Sequence, residues 1–176
     1  MVSLKHLLFA AFLAAAACAP TPAEPPPGAA QEEVAELWTA DTRTVLTGDA
    51  ARSLARQCSR ISPGPIEDVW TPTDAEVDAL ENDLILLVAR EMEEAGQSPS
   101  PGGYYRQYAG FVIGGRRIIY VNGVDETVMQ RQPDPARPFD WRTQTVQICD
   151  GGTITFGVEY DPATRQFSNF SFNGSV

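Results

Sequence analysis

The chain has 176 residues, 20% of them charged, and a formal net charge of −10, which leaves room for one modest core once a leader and a linker are set aside. An acid excess of this size excludes a grip on nucleic-acid phosphates or anionic lipid through basic residues, and it predicts attraction to a basic partner. In chain order, residues 1–17 carry Lys5 and His6 ahead of an apolar run from Leu7 to Ala17. That run is too short to span a bilayer as a helix and has the layout of a signal-peptide core, so export is expected.

Ala15-Ala16-Ala17-Cys18 follows the run and resembles the lipobox of bacterial lipoproteins. The resemblance covers the leader and Cys18 only, and implies that Cys18 becomes the lipidated first residue, holding the chain on a membrane that faces the periplasm. Ala15 stands where leucine is commonest in that family, so ordinary cleavage after Ala17, with secretion to the periplasm, is the alternative. Of the three cysteines, lipidation of Cys18 leaves Cys58 and Cys149, which can pair in an oxidising compartment. Removing the leader also removes the only lysine and the only histidine, leaving twelve arginines against 23 acids, a formal −11.

Residues 18–30, rich in Pro, Ala and Glu, cannot bury a core and read as a stiff spacer; residues 31–176 form a single domain. Val34, Leu37, Trp38 and Val45 suggest a short helix within 32–46. Asp49 suits the N-cap of a second helix, in which Leu54 and Cys58 share a face. The clearest helix starts at Thr73, which forms a capping box with Glu76, and stops at Gly96; Val77, Leu80, Leu84, Leu87, Val88 and Met92 recur along it as a core stripe. Its acids Glu76, Asp83, Glu93 and Glu94 read as a solvated face. After a loop at 97–103, runs at 104–113 and 116–122 alternate around Gly114-Gly115 as a hairpin with residues to bury on both faces. Residues 123–142 make a long excursion punctuated by Pro133, Pro135 and Pro138. Over 145–173 the alternation predicts a three-strand meander turning at Asp150-Gly151-Gly152 and at 161–165, with Ile148 facing Ile154 and Val146 facing Phe156. The fold class is α+β: N-terminal helices on one face of an antiparallel sheet of about five strands. A Cys58–Cys149 bridge would then staple the helical layer to that sheet.

The missing side chains say most about chemistry. Without histidine or lysine there is no Ser-His-Asp or Cys-His arrangement, no His-ligated zinc and no Schiff base. No catalytic residue, metal or cofactor is therefore expected. Carboxylate chemistry survives as an alternative: Glu159 and Asp140 would form a glycan-hydrolase pair if held roughly 5–9 Å apart, against plainer roles as a strand glutamate and a loop cap. Asp161 is expected to bond its own turn. Asp125 and Glu126 sit in no calcium-loop pattern and read as solvated. Tyr104, Tyr105 and Arg106 beside one loop, and Phe139, Trp141 and Arg142 on another, are the anchor types that recur in interfaces and stack on sugars. Their plainer role is core completion. The favoured expectation is a non-catalytic, lipid-anchored envelope protein that binds another protein or a cell-wall glycan through these six residues, with no nucleic-acid partner.

Overall fold

The computed structural model describes residues 38–98, 103–131, 136 and 138–174. The leader, Cys18, the linker and most of the first expected helix lie outside them. Two glycines with φ of 56° and 71° reverse the chain at Gly114-Gly115, a conformation that side-chain-bearing residues resist. The flanking runs therefore pair antiparallel along their whole length, β3 (Tyr104–Ile113) with β4 (Arg116–Asp125), from Tyr104 opposite Asp125 to Ile113 opposite Arg116. Beyond β4 lie β5 (Thr155–Asp161) and then β6 (Gln166–Phe172), both antiparallel. Asp161 shapes the turn between them by accepting from the amides of Ala163 and Thr164. The other edge of β3 is shared by two three-residue strands, β1 (Arg43–Val45) parallel and β2 (Asp68–Trp70) antiparallel. Among the described residues the fold is α+β, three helices on a mixed, mostly antiparallel sheet of six strands.

Helix α1 (Gly48–Leu54) is short; helix α2 (Asp74–Glu94) is the long one, and α3 (Glu126–Met129) is a single turn. The capping box forms as the sequence predicts, with Thr73 and Glu76 each satisfying the other's backbone N–H. These bonds, led by the one from the Thr73 backbone, hold the Glu76 carboxyl below its usual range. Val77, Leu80, Leu84 and Val88 are buried against Tyr108, Ile119, Val121, Phe156, Val158 and Tyr160, at about 1.5–3 kcal/mol for each large side chain removed from water.

The expectation of helices on one face is corrected. Helix α2 covers one face of the sheet, while α1 packs Ala51 and Leu54 on the other, against Ala109, Phe111 and Tyr120. Adjacent strand residues point to opposite faces, so the continuous apolar character of β3 and β4 requires cover on both sides.

Three local readings change. The expected helix at 32–46 is, where described, a 3-10 turn at Ala40–Thr42 running into β1. Asp49 is inside α1 rather than at its N-cap, which is Thr47, and Cys58 lies beyond the helix. The first strand of the expected meander is not a strand. Residues 138–151 instead cross the face that carries α1 as a strap, and Gly152–Ile154 is a 3-10 turn. Ile148 and Val146 therefore face neither Ile154 nor Phe156 across a ladder. Buried side chains supply what a neighbouring strand would have: Gln107 Oε1 accepts from the Val146 amide at 2.9 Å and Asn122 Nδ2 donates to the Val146 carbonyl at 3.1 Å. Cys149 on the strap and Cys58 beyond α1 lie at disulfide distance, sulfurs 2.16 Å and Cα atoms 5.1 Å apart. The strap lies on the face that α1 covers, and the two cysteines meet there.

Candidate binding surface

Strand alternation divides the six expected surface residues. Tyr104 and Arg106 point to the α2 face and are buried, 1% and 0% exposed. They are thereby removed from the expected binding surface: three consecutive residues of one strand cannot share a face. The Tyr104 hydroxyl donates to the Thr153 carbonyl, its ring lies edge-on to Phe156 at 5.1 Å, and burial raises its pKa.

Tyr105 faces the other way, toward the strap, and there the two loops do meet. Its ring lies edge-on to Trp141 with centroids 5.1 Å apart. The Arg142 guanidinium sits over the same indole, 4.6 Å from its centroid, and Phe139, two residues before Trp141 in the chain, is 47% exposed. Arg142 is held in place: its Nη2 donates to the Asp41 carbonyl at 3.0 Å, and its own carbonyl accepts from Thr44 Oγ1 at 2.9 Å. Tyr105, Trp141 and Arg142 thus form one mounted patch of half-buried aromatic surface with a cation on it, on the same strap as the exposed Phe139. Aromatic and guanidinium groups whose rotamers are already fixed lose little freedom when a partner arrives.

The mounting is polar and buried. Gln107, 1% exposed, donates through Nε2 to the carbonyls of Trp141 and Gln144 at 2.6 and 2.7 Å, and its Oε1 also accepts from Asn122 Nδ2. Asn122 Oδ1 accepts from Arg60, whose other nitrogens donate to the Tyr120 hydroxyl at 3.0 Å and to Asn173 Oδ1 at 2.6 Å. Asn173 Nδ2 in turn holds the carbonyls of Ile148 and Asp150. Sequence reading missed Arg60, Gln107, Asn122 and Asn173. The available signal was a pair of carboxamides at inward positions of otherwise apolar strands.

A second buried polar cluster was also missed. Glu81 projects from α2 into the core stripe, where Oε1 accepts from Arg106 Nε at 2.9 Å and from the Tyr108 hydroxyl at 2.6 Å, while Oε2 accepts from Arg43 at 2.7 Å. Arg106 further donates to Thr42 Oγ1 and to the Tyr104 and Thr39 carbonyls, with its guanidinium over the Trp38 ring at 4.3 Å. Burial, and then the Glu81 charge, raises the Tyr108 pKa well above its ordinary value. Burial alone would pull the Arg43 guanidinium down, but Glu81 and Asp78 outweigh it and hold it above its ordinary value. The cluster joins α2, β1 and β3, and Trp38, Arg43, Asp78 and Glu81 line an open pocket at its edge.

Asp140 and Asp125 take plainer roles. Asp140 accepts from the Arg142 amide and Thr143 Oγ1, and Asp125 caps α3 through the Thr127 amide. Glu159 is half-buried on β5 on the strap face, opposite Tyr120, while the Asp140 loop is moored at Gln107 and Thr44. Among the described residues no group of three or more His, Cys, Asp or Glu is placed to hold a metal, and no helix is long and apolar enough to cross a membrane. Comparison with protein-family models, with curated proteins and with solved structures finds no match.

Proposed function

We propose that this chain is a non-catalytic, lipid-anchored protein of the cell envelope that binds another protein or a cell-wall glycan through Tyr105, Phe139, Trp141 and Arg142. The observation that carries the reading is the edge-on Tyr105–Trp141 pair with Arg142 over the indole, an interface-grade assembly set on a strap rather than in the core. Cysteines at disulfide distance support an oxidising compartment, and the Ala15-Ala16-Ala17-Cys18 sequence supports attachment through acyl chains on Cys18.

The surface is tested by Trp141→Ala. Partner capture from solubilised envelope should fall at least tenfold, about 1.4 kcal/mol or more. The unfolding free energy should drop by no more than about 1 kcal/mol, because the ring is only half-buried. A large fall in melting temperature with capture unchanged would return Trp141 to a purely structural role. The anchor is tested separately by Cys18→Ser, which should move the protein from the membrane fraction to the soluble periplasmic fraction; persistence in the membrane fraction would sink the lipid-anchor reading.

A further inference from the structure

The strap is fastened in an unusual way. Across 138–151 it joins no ladder, and Val146 is its one buried residue. Its backbone is held by the carboxamides of Gln107, Asn122 and Asn173, by the Thr44 hydroxyl on the Arg142 carbonyl, and near its far end by the sulfur of Cys149. Ordering such a segment is opposed by the entropy of every residue fixed, and each hydrogen bond returns only a modest net gain.

The Cys58 end feeds the same network. Arg60, two residues on, holds Asn122 and Asn173, Asn122 bonds Gln107, and Gln107 holds the Trp141 carbonyl. A continuous line of hydrogen bonds therefore runs from Arg60, two residues from the bridge, to the Trp141 carbonyl in the aromatic patch. Both cysteines are solvent-exposed, so a thiol can reach them.

We propose that the Cys58–Cys149 bridge is a redox latch on the strap, which keeps the strap down to Trp141 ordered when oxidised and loosens it when a dithiol reduces it. In the exchange, a thiolate of the dithiol attacks one bridge sulfur, and the other leaves as a thiolate and takes a proton. The second thiol of the reductant then attacks the mixed disulfide, closes its own disulfide and releases the remaining cysteine. Two electrons and two protons pass from the dithiol to the protein. The latch itself rests on the geometry above; only its control of binding rests on the function proposed for the patch.

The test treats the full-length, detergent-solubilised protein with dithiothreitol, with mass spectrometry confirming two new thiols. Amides of 141–150 should then exchange at least tenfold faster, and the indole N–H resonance of Trp141 should shift. Amides of 104–113 and 116–125 should be unchanged. The Cys58→Ser/Cys149→Ser variant should show the loosened strap from the start and ignore dithiothreitol. Unchanged strap protection after confirmed reduction overturns the latch. So does loss of protection throughout the central strands, which would make the bridge a staple of the whole fold. A loosened strap with undiminished partner capture leaves the latch standing and removes the patch as the binding surface.

Discussion

Glu81→Ala should destabilise the fold by about 3–5 kcal/mol, a large share of the 5–15 kcal/mol typical of a domain this size. Urea unfolding is the measurement. The cost does not come from the carboxylate's own burial but from what it leaves behind: Arg106 is completely buried, and among the described residues its one carboxylate partner is Glu81. The Tyr108 hydroxyl loses its acceptor at the same time, and Arg43 keeps Asp78, whose side chain is 61% exposed. Because the penalty lies in a stranded guanidinium, Glu81→Ala/Arg106→Met should be less destabilised than Glu81→Ala alone. A loss under 1 kcal/mol for the single variant, or additive losses in the double, would mean that water reaches Arg106 and that the cluster does not tie α2 to the sheet.

Phe156→Ala should cost a comparable amount, about 3–5 kcal/mol. The ring is fully buried, edge-on to Tyr104 and stacked on Phe170 at 5.5 Å. It also occupies the place where Gly123, directly opposite on β4, has no side chain: a Cβ there would fall 1.9 Å from a ring carbon. Gly123→Ala alone should therefore cost about 1–3 kcal/mol by forcing the ring aside. In the Phe156→Ala background the ring is gone, and the same change should cost less than 1 kcal/mol. A double-mutant cycle followed by thermal unfolding checks the coupling. Equal costs in both backgrounds would show that the ring and the glycine do not compete for one space.

Where a structural cause lies within a few residues, the sequence is informative. Two glycines fix the β3–β4 reversal, Thr73 and Glu76 start α2, and Asp161 shapes the last turn; all three are readable because the residues that make the bonds are the residues of the turn or cap itself. The strap defeats that reasoning. Val146 and Ile148 alternate like a strand, but the groups that satisfy the Val146 backbone come from Gln107 and Asn122, 39 and 24 residues away. Strand β1 is likewise defined only by its partner, since three residues carry no periodicity of their own. Two of the six expected surface residues, Tyr104 and Arg106, are buried instead, and that division was available from alternation at Tyr104, Tyr105 and Arg106. Glu81 was legible too, as an acid four residues after Val77 and three before Leu84, in the middle of the apolar stripe.

The rims of the sheet bear on behaviour at high concentration. One rim is broken into a parallel and an antiparallel piece of three residues each, and the other, β6, carries an extra residue at its register shift beside Asn169, whose φ is 55°. Neither rim presents a long, regular row of amides and carbonyls, although β6 has no charged residue and three phenylalanines. Recruitment of a second copy strand to strand, the first step toward fibrils, is thereby obstructed by backbone shape rather than by charge.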